Sequence, residues 1–419
     1  MKYKKFYLII LCLFLLFYSI IPISYADDLN SEENISSNYY NTENVSKNLN
    51  AIPTINARFA AIYDRASGTL LYDKNANEKS KMASTTKIMT SLVVIENSNL
   101  SDIVTISKKS AGTGGSRLGL STNNTISVEN LLYGLMLCSG NDAAVALAEH
   151  VGGSIEGFAE LMNKKAVELN LTNTHFVTPH GLDQDDHYTT AYELAKLTDY
   201  ALKNEIFAKI VNTKNYTIMI NNTPKQIHNT NELLGNLDGV YGVKTGFTNG
   251  ANRCLVTSCK RENLDIICVV LGCDTKKDRT QDSVELINYT FNNFTLKNIE
   301  EIIDNDFNSW SKNHANNFTI NKGIPNNIDL YLDKSHIPYS SLAINNIDLN
   351  NITSTINFTS SFNAPLEKNS IIGTSTIKIN EKELFKINIL NKNTIRKKYI
   401  FDYLHSFLYR YPDIIKTTF

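Results

Sequence analysis

Gly239-Val240-Tyr241-Gly242-Val243-Lys244-Thr245 reads as a strand, Asn249-Gly250 as a tight turn, and Arg253-Cys254-Leu255-Val256-Thr257-Ser258-Cys259 as the strand that returns. Asn-Gly between two such runs is a strong short-range hairpin signal. A third apolar run, Ile266 to Gly272, follows, and Ser283 to Phe294 has helical periodicity. Near the start of the folded part, Phe59 to Asp64 and Leu70 to Lys74 form another strand pair, split by Ala66-Ser67-Gly68. The stretch between is helical by periodicity, over Lys87–Ile95, Val128–Leu137, Asp142–Val151, Phe158–Leu169 and Ala191–Leu202. Strands first, helices in the middle, then strands and a helix predict an α/β domain over residues 57–296. Its antiparallel sheet is assembled from both ends of the segment around an all-helical insertion.

Outside this domain the texture changes. Lys2, Lys4 and Lys5 precede an apolar run from Phe6 to Ile23, and Ser24-Tyr25-Ala26 supplies small residues where a signal peptidase cuts, so 1–26 reads as an export signal. An uncleaved membrane anchor is the alternative reading of the same run. Residues 27–56, rich in Asn, Ser and Glu, read as a polar tether. Residues 300–392 carry short alternating runs separated by turn residues, from Ile328–Leu332 to Phe385–Leu390, and predict a small all-β sandwich module. Over 395–419, Arg396-Lys397-Lys398 leads a helix whose Ile400, Leu404, Phe407, Leu408 and Tyr411 share one face, a pattern suited to a membrane surface. A helix packed on its own domain is the competing use of that face. A net charge of -1 over 419 residues gives no sign of nucleic acid as a partner, and none is expected.

Three short strings carry chemistry. Ser84 opens a predicted helix, where its ordinary use is an N-cap. A capping box would place Glu or Gln three residues on, yet that position is Lys87, a cation in the turn where the helix dipole opposes it. The misfit makes sense as catalysis. Residues three apart share a face, so the Lys87 amine reaches the Ser84 hydroxyl, and the dipole favours a neutral amine able to act as a base. The Ser84 backbone N–H can face a developing oxyanion.

Ser139-Gly140-Asn141 lies in the tight turn between two helices. Capping is its ordinary use; the functional one is a proton relay through Ser139, with Asn141 holding a substrate amide or orienting Lys87. In Lys244-Thr245-Gly246, Lys244 offers positive potential to an anionic substrate, Thr245 a hydroxyl to a carboxylate, and Gly246 a point of close approach. The Phe247 N–H is a second candidate oxyanion donor. Cys138 is expected to be buried at a helix end with no base beside it, and Cys254, Cys259, Cys268 and Cys273 read as core thiols in strands, not zinc ligands. His180, Asp183, Asp185, Asp186 and His187 lack a second ligand group at fixed spacing and read as turn and surface, so neither a metal nor another cofactor is expected.

Taken together, these residues resemble the serine-type D-alanyl-D-alanine carboxypeptidases, the low-molecular-mass penicillin-binding proteins. The resemblance rests on Ala83-Ser84-Thr85-Thr86-Lys87-Ile88-Met89-Thr90, Ser139-Gly140-Asn141-Asp142-Ala143-Ala144, His180-Gly181-Leu182-Asp183 and Lys244-Thr245-Gly246-Phe247-Thr248, with Ala364-Pro365-Leu366-Glu367-Lys368-Asn369 in the later module. It implies a transpeptidase/β-lactamase-like domain, with Ser84 as acylated nucleophile, Lys87 as base, Ser139 and Asn141 completing the relay, and Lys244 and Thr245 binding the carboxylate. The implied substrate is a peptidoglycan stem ending in D-Ala-D-Ala, with β-lactams as inhibitors. The implied location is the outer face of the cytoplasmic membrane, held by the C-terminal helix. One departure is Asn252, where a glycine usually follows the alanine; Asn tolerates the dihedrals a glycine would adopt.

Three other functions compete. A β-lactamase of the class A type needs a deacylating glutamate. The expected position is Ala166, and Glu168 lies on an outward helical face. A D,D-endopeptidase would use the same residues. A non-catalytic muropeptide-binding envelope protein would not need every motif residue intact.

Overall fold

The structure, a computed structural model, describes residues 51–314, 318–325 and 327–410. The expected export signal and residues 27–50 of the expected tether lie outside the described residues. The chain divides into two compact units, meeting at Asn292 and Asn293.

The first unit contains strands β1 (Phe59–Asp64), β2 (Leu70–Lys74), β3 (Ile103–Thr105), β4 (Thr125–Ser127), β5 (Asn215–Ile220), β6 (Thr223–His228), β7 (Val240–Thr248), β8 (Asn252–Arg261) and β9 (Leu264–Cys273). Five of them form one antiparallel sheet in the order β2-β1-β9-β8-β7. Its strands come from both ends of the segment, as the strand–helix–strand order predicts. The β1–β2 turn closes where Gly68 takes a φ of 74° and Asp64 accepts from the Ala66 N–H and the Ser67 hydroxyl. The β7–β8 turn ends at Asn252, whose φ is 57°. The residue that departs from the family pattern therefore adopts the left-handed conformation that its glycine counterpart would take without strain.

Helix Lys87–Asn97 runs through the middle of the unit, with Ile88, Met89, Leu92, Val93 and Val94 at most 1% exposed. Helices Val128–Leu137, Asn141–Gly152, Ile155–Glu168 and Ala191–Leu202 pack around it. Each of the last three has a sequence reason to start or stop. Ser154 and Thr190 accept the N–H three residues on, and Gly153 ends its helix at a φ of 72°.

The insertion is not all-helical. β3 pairs with β4 and β5 with β6. The second pair escaped sequence reading although Asn215–Ile220 carries Tyr216, Ile218, Met219 and Ile220: its partner Thr223–His228 is largely polar, Pro224 breaks the pattern, and only Ile218 and Ile227 are buried. Its turn, Asn221-Asn222 at φ 48° and 62°, is a two-residue hairpin connection. The tether boundary also moves. Ile55 is buried, and Asp282 accepts from the N–H groups of Asn56 and Ala57, so the folded unit already includes residues 55–56.

The second unit begins earlier than 300, because strand Phe294–Asn298 pairs with Ser341–Asn345. Strands Leu330–Leu332, Lys382–Asn391, Ile371–Ile379 and Ile352–Phe358 form a four-stranded antiparallel sheet in that order. A helix, Ile299–His314, joins its core through Ile299, Ile303 and Phe307 against Leu332, Leu342, Ile377 and Ile389. The all-β expectation missed this helix. Its apolar residues recur every fourth position but are diluted by Asp, Asn and Glu. Arg396–Lys397 pairs with Gly323–Ile324, and helix Ile400–Arg410 follows; residues 411–419 lie outside the described residues.

Candidate active site

Ser84 does not open an α-helix. It lies in a single 3₁₀ turn, Ala83–Thr86, and the α-helix begins at Lys87. The turn is wound by its own side chains: the Thr85 hydroxyl donates to Met82 O at 2.6 Å and the Thr86 hydroxyl to Ala83 O at 2.7 Å. In a 3₁₀ turn, residues three apart eclipse, which stacks Lys87 over Ser84 more directly than an α-helix would. The Ser84 hydroxyl caps nothing; it lies 2.9 Å from Lys87 Nζ.

Lys87 is fully buried, at the N-terminal end of a helix with no acid in its first turn. Its Nζ also donates to Asn141 Oδ1 at 2.8 Å and to the His180 carbonyl at 2.9 Å. These two partners only accept, whereas a serine hydroxyl can donate or accept. When the amine loses its proton, its two N–H groups suit the two carbonyl oxygens, and its lone pair is left facing the Ser84 hydroxyl. The geometry thus suits proton transfer from Ser84 to Lys87.

Burial pushes the His180 imidazole down to about 3, and the Lys87 charge acts in the same direction. His180 therefore stays neutral and serves through its backbone carbonyl. His187 is also buried, and its Nε2 meets the Thr86 hydroxyl at 2.8 Å. Burial, with the His175 charge, pushes it down to about 4. The surface placement expected for these two histidines is therefore wrong; Asp185 and Asp186 are exposed as expected. Among the described residues no group of three or more His, Cys, Asp or Glu side chains is arranged to hold a metal ion.

Asn141 is the first residue of helix Asn141–Gly152. Its Nδ2 donates to Gly114 O at 2.8 Å, which turns Oδ1 toward Lys87. Ser139 is buried two residues earlier at a φ of 59°, beside this cluster and outside the hydrogen bonds just described. Cys138 caps the preceding helix and is half-buried, more open than expected; burial raises its thiol pKa, which disfavours a thiolate nucleophile. Cys254, Cys259, Cys268 and Cys273 are buried, as expected of core residues in strands.

β7 is an edge strand of the sheet and lies against the 83–86 turn. A Cβ at Gly246 would stand 3.1 Å from Ser84 N and 3.2 Å from both Ala83 Cβ and Thr85 N. The glycine thus permits close approach of two backbones, bringing the residues beside it to Ser84. Lys244 and Thr245 are buried; Lys244 Nζ donates to Thr245 O at 3.0 Å, and the Thr245 hydroxyl meets that of Thr230 at 2.8 Å. The Phe247 ring carries the Arg253 guanidinium at 3.9 Å.

Sequence reading missed several supports of this site. A Cβ at Gly181, φ 86°, would fall 1.9 Å from Ala83 O, so only glycine fits beneath the turn. Asp183 accepts from the Thr248 hydroxyl and from Gly250 N, fastening the β7–β8 turn. Thr230 supports Thr245. Gly181, Asp183 and Thr248 lie within the motifs that carry the resemblance, whereas nothing in the sequence marks Thr230.

A serine hydroxyl on a buried lysine, in a turn pressed against the edge of an antiparallel sheet, defines a serine enzyme of the penicillin-binding class. A family model described as D-alanyl-D-alanine carboxypeptidase matches residues 45–275, and one described as Penicillin-binding protein 5, C-terminal domain, matches residues 311–397. The chain belongs to the D-alanyl-D-alanine carboxypeptidase family of serine peptidases. It is similar to the D-alanyl-D-alanine carboxypeptidase DacF of Bacillus subtilis (strain 168), at 34% identity over 350 residues, which cover 81% of this chain and 86% of the relative. Among solved structures, penicillin binding protein 5 from Haemophilus influenzae superposes with a TM-score of 0.65 at 28% identity, covering 83% of this chain and 99% of that one. The D-alanyl-D-alanine carboxypeptidase DacD from Francisella tularensis gives a TM-score of 0.67 at 24% identity, covering 88% of this chain and 100% of that one, a likeness of fold.

Proposed function

We propose that this protein removes the terminal D-Ala from peptidoglycan stem peptides ending in D-Ala-D-Ala, through an acyl-enzyme on Ser84. The observation that carries this reading is the 2.9 Å contact between Ser84 Oγ and a fully buried Lys87 Nζ. Lys87 takes the hydroxyl proton as Ser84 Oγ bonds to the carbonyl carbon of the penultimate D-Ala. The Ser84 and Phe247 N–H groups receive the oxyanion. The C–N bond then breaks, and the leaving D-Ala amine takes a proton relayed through Ser139. Asn141 holds Lys87 in place, and Lys244 and Thr245 bind the terminal carboxylate. Water then hydrolyses the ester, returning the serine.

A β-lactam enters by the same acylation. Its slow release is favoured because Ala166, at the position expected for a deacylating glutamate, has no carboxylate, and Glu168 points outward, ion-paired with Lys165. Incubation with penicillin followed by intact and peptide mass measurement tests the reading. The expected result is an adduct on Ser84 that vanishes in Ser84→Ala. No adduct, with D-Ala release unaffected by that substitution, overturns it.

We place the enzyme outside the cytoplasmic membrane and attached to it. Among the described residues no helix is long and apolar enough to cross a membrane. Attachment is supported by helix Ile400–Arg410, whose Ile400, Phe401, Leu404 and Phe407 are at least half exposed behind Arg396-Lys397-Lys398. Trimming residues 396–419 should release the mature protein from membranes; retention would assign the anchor to the N-terminal apolar segment.

A further inference from the structure

The mechanism above uses the Asn141 side chain but not its neighbour. Asp142 is fully buried, a costly place for a carboxylate unless hydrogen bonds satisfy it. Its Oδ1 accepts from Leu118 N at 2.7 Å and from Ala143 N at 2.9 Å. Its Oδ2 accepts from Gly119 N at 2.8 Å and Leu120 N at 3.0 Å. Three consecutive backbone N–H groups of one irregular segment therefore converge on one side chain.

The same segment reaches back. Gly114 O accepts from Asn141 Nδ2, and Ser116 O accepts from Asn141 N, each at 2.8 Å. Gly140 permits the approach, since a Cβ there would lie 3.1 Å from Leu118 N and 3.0 Å from Asp142 Oδ1. A closed ring results, running from the Asp142 carboxylate to the 118–120 amides, along the segment to the 114 and 116 carbonyls, and into Asn141.

We infer that Asp142 is a positioning residue for acyl transfer, acting through segment 114–120 to fix which way the Asn141 amide faces, an inference that rests on the reading of Lys87 as base. The amide has two orientations. With Nδ2 on Gly114 O, its oxygen meets Lys87; reversed, it presents N–H to an N–H donor. Without Asp142 the segment has no anchor for its amides, and the 114 carbonyl no longer selects the productive orientation.

Asp142→Asn tests this. It keeps the volume but turns an N–H group toward backbone donors on one side. The measurements are the second-order rate of acylation by a fluorescent penicillin, its pH profile, and the melting temperature, in wild type, Asp142→Asn, Asn141→Ala and the double variant. The expected result is acylation slowed at least tenfold by Asp142→Asn, with the double variant no slower than Asn141→Ala alone. The rising limb of the pH profile should move to lower pH, because the Lys87 ammonium loses an acceptor.

Wild-type acylation speed in Asp142→Asn overturns the inference, and so does an effect that adds in full to Asn141→Ala. If Asp142→Asn does not fold, Gly119→Ala strains the segment at a φ of 86° with Asp142 intact and faces the same criteria. Failure of wild type to be acylated at Ser84 would instead refute the function itself.

Discussion

Replacing Gly246 by alanine would test whether the distance between β7 and the 83–86 turn controls the chemistry. The added Cβ would meet Ser84 N at 3.1 Å and both Ala83 Cβ and Thr85 N at 3.2 Å, where ordinary contacts begin at 3.4 Å. Carbon–carbon contacts are best at roughly 3.5–4.0 Å, so strand and turn must separate by a few tenths of an ångström. Gly246 does not have a positive φ, so alanine brings no backbone strain of its own. Overpacking of this kind costs about 1–3 kcal/mol of stability. The larger consequence is for the reaction. The proposed oxyanion donors, Ser84 N–H and Phe247 N–H, sit on opposite sides of the gap that widens. Complete loss of one such donor costs about 10²–10³ in rate. A partial separation should slow acylation by roughly tenfold, or about 1.4 kcal/mol of barrier. The assay is the time course of labelling by a fluorescent penicillin, with thermal melting measured in parallel to confirm folding. A folded Gly246→Ala protein acylated at the wild-type rate would refute the claim that this separation matters.

Two further outcomes follow from the packing. Asn252 at a φ of 57° should accept glycine within about 0.5 kcal/mol, whereas valine should cost roughly 1–2 kcal/mol; urea midpoints measure both, and a neutral valine would contradict the left-handed assignment. His187, held at about 4 by burial and by His175, is protonated near 6.5 once unfolded, so its contribution is complete above 6.5 and is lost as pH falls toward 4. That loss is roughly 3 kcal/mol. His187→Gln should flatten the fall in stability between pH 7 and pH 4, and an unchanged slope would show that this histidine is not the group responsible.

The sheet was legible because its strands carry β-branched and apolar residues with turn signals at their ends, and the bounds of β1 and β2 match the expected runs. The central helices were legible for the same reason at a different period. Other elements were not: β5 and β6 bury one residue each, and helix Ile299–His314 spaces its apolar residues among Asp and Asn. At the site, Ser84 and Lys87 announced themselves by a local misfit with helix capping. The 3₁₀ form of that turn did not, since it depends on two threonine hydroxyls bonding backward. The His180 carbonyl was also invisible, because a backbone group leaves no mark in the residue type. His180 and His187 were misplaced at the surface because polarity alone does not show that a hydrogen bond or a neighbouring ring will hold them inside.

Two glycines flank the segment that carries Ser84, Gly181 against Ala83 O and Gly246 against Ser84 N. Ala83 O and Ser84 N are backbone atoms that no substitution removes, so any residue larger than glycine presses on the turn from one side or the other. The spacing of the turn is thus set from both sides by backbone, and a side chain added at either glycine alters it.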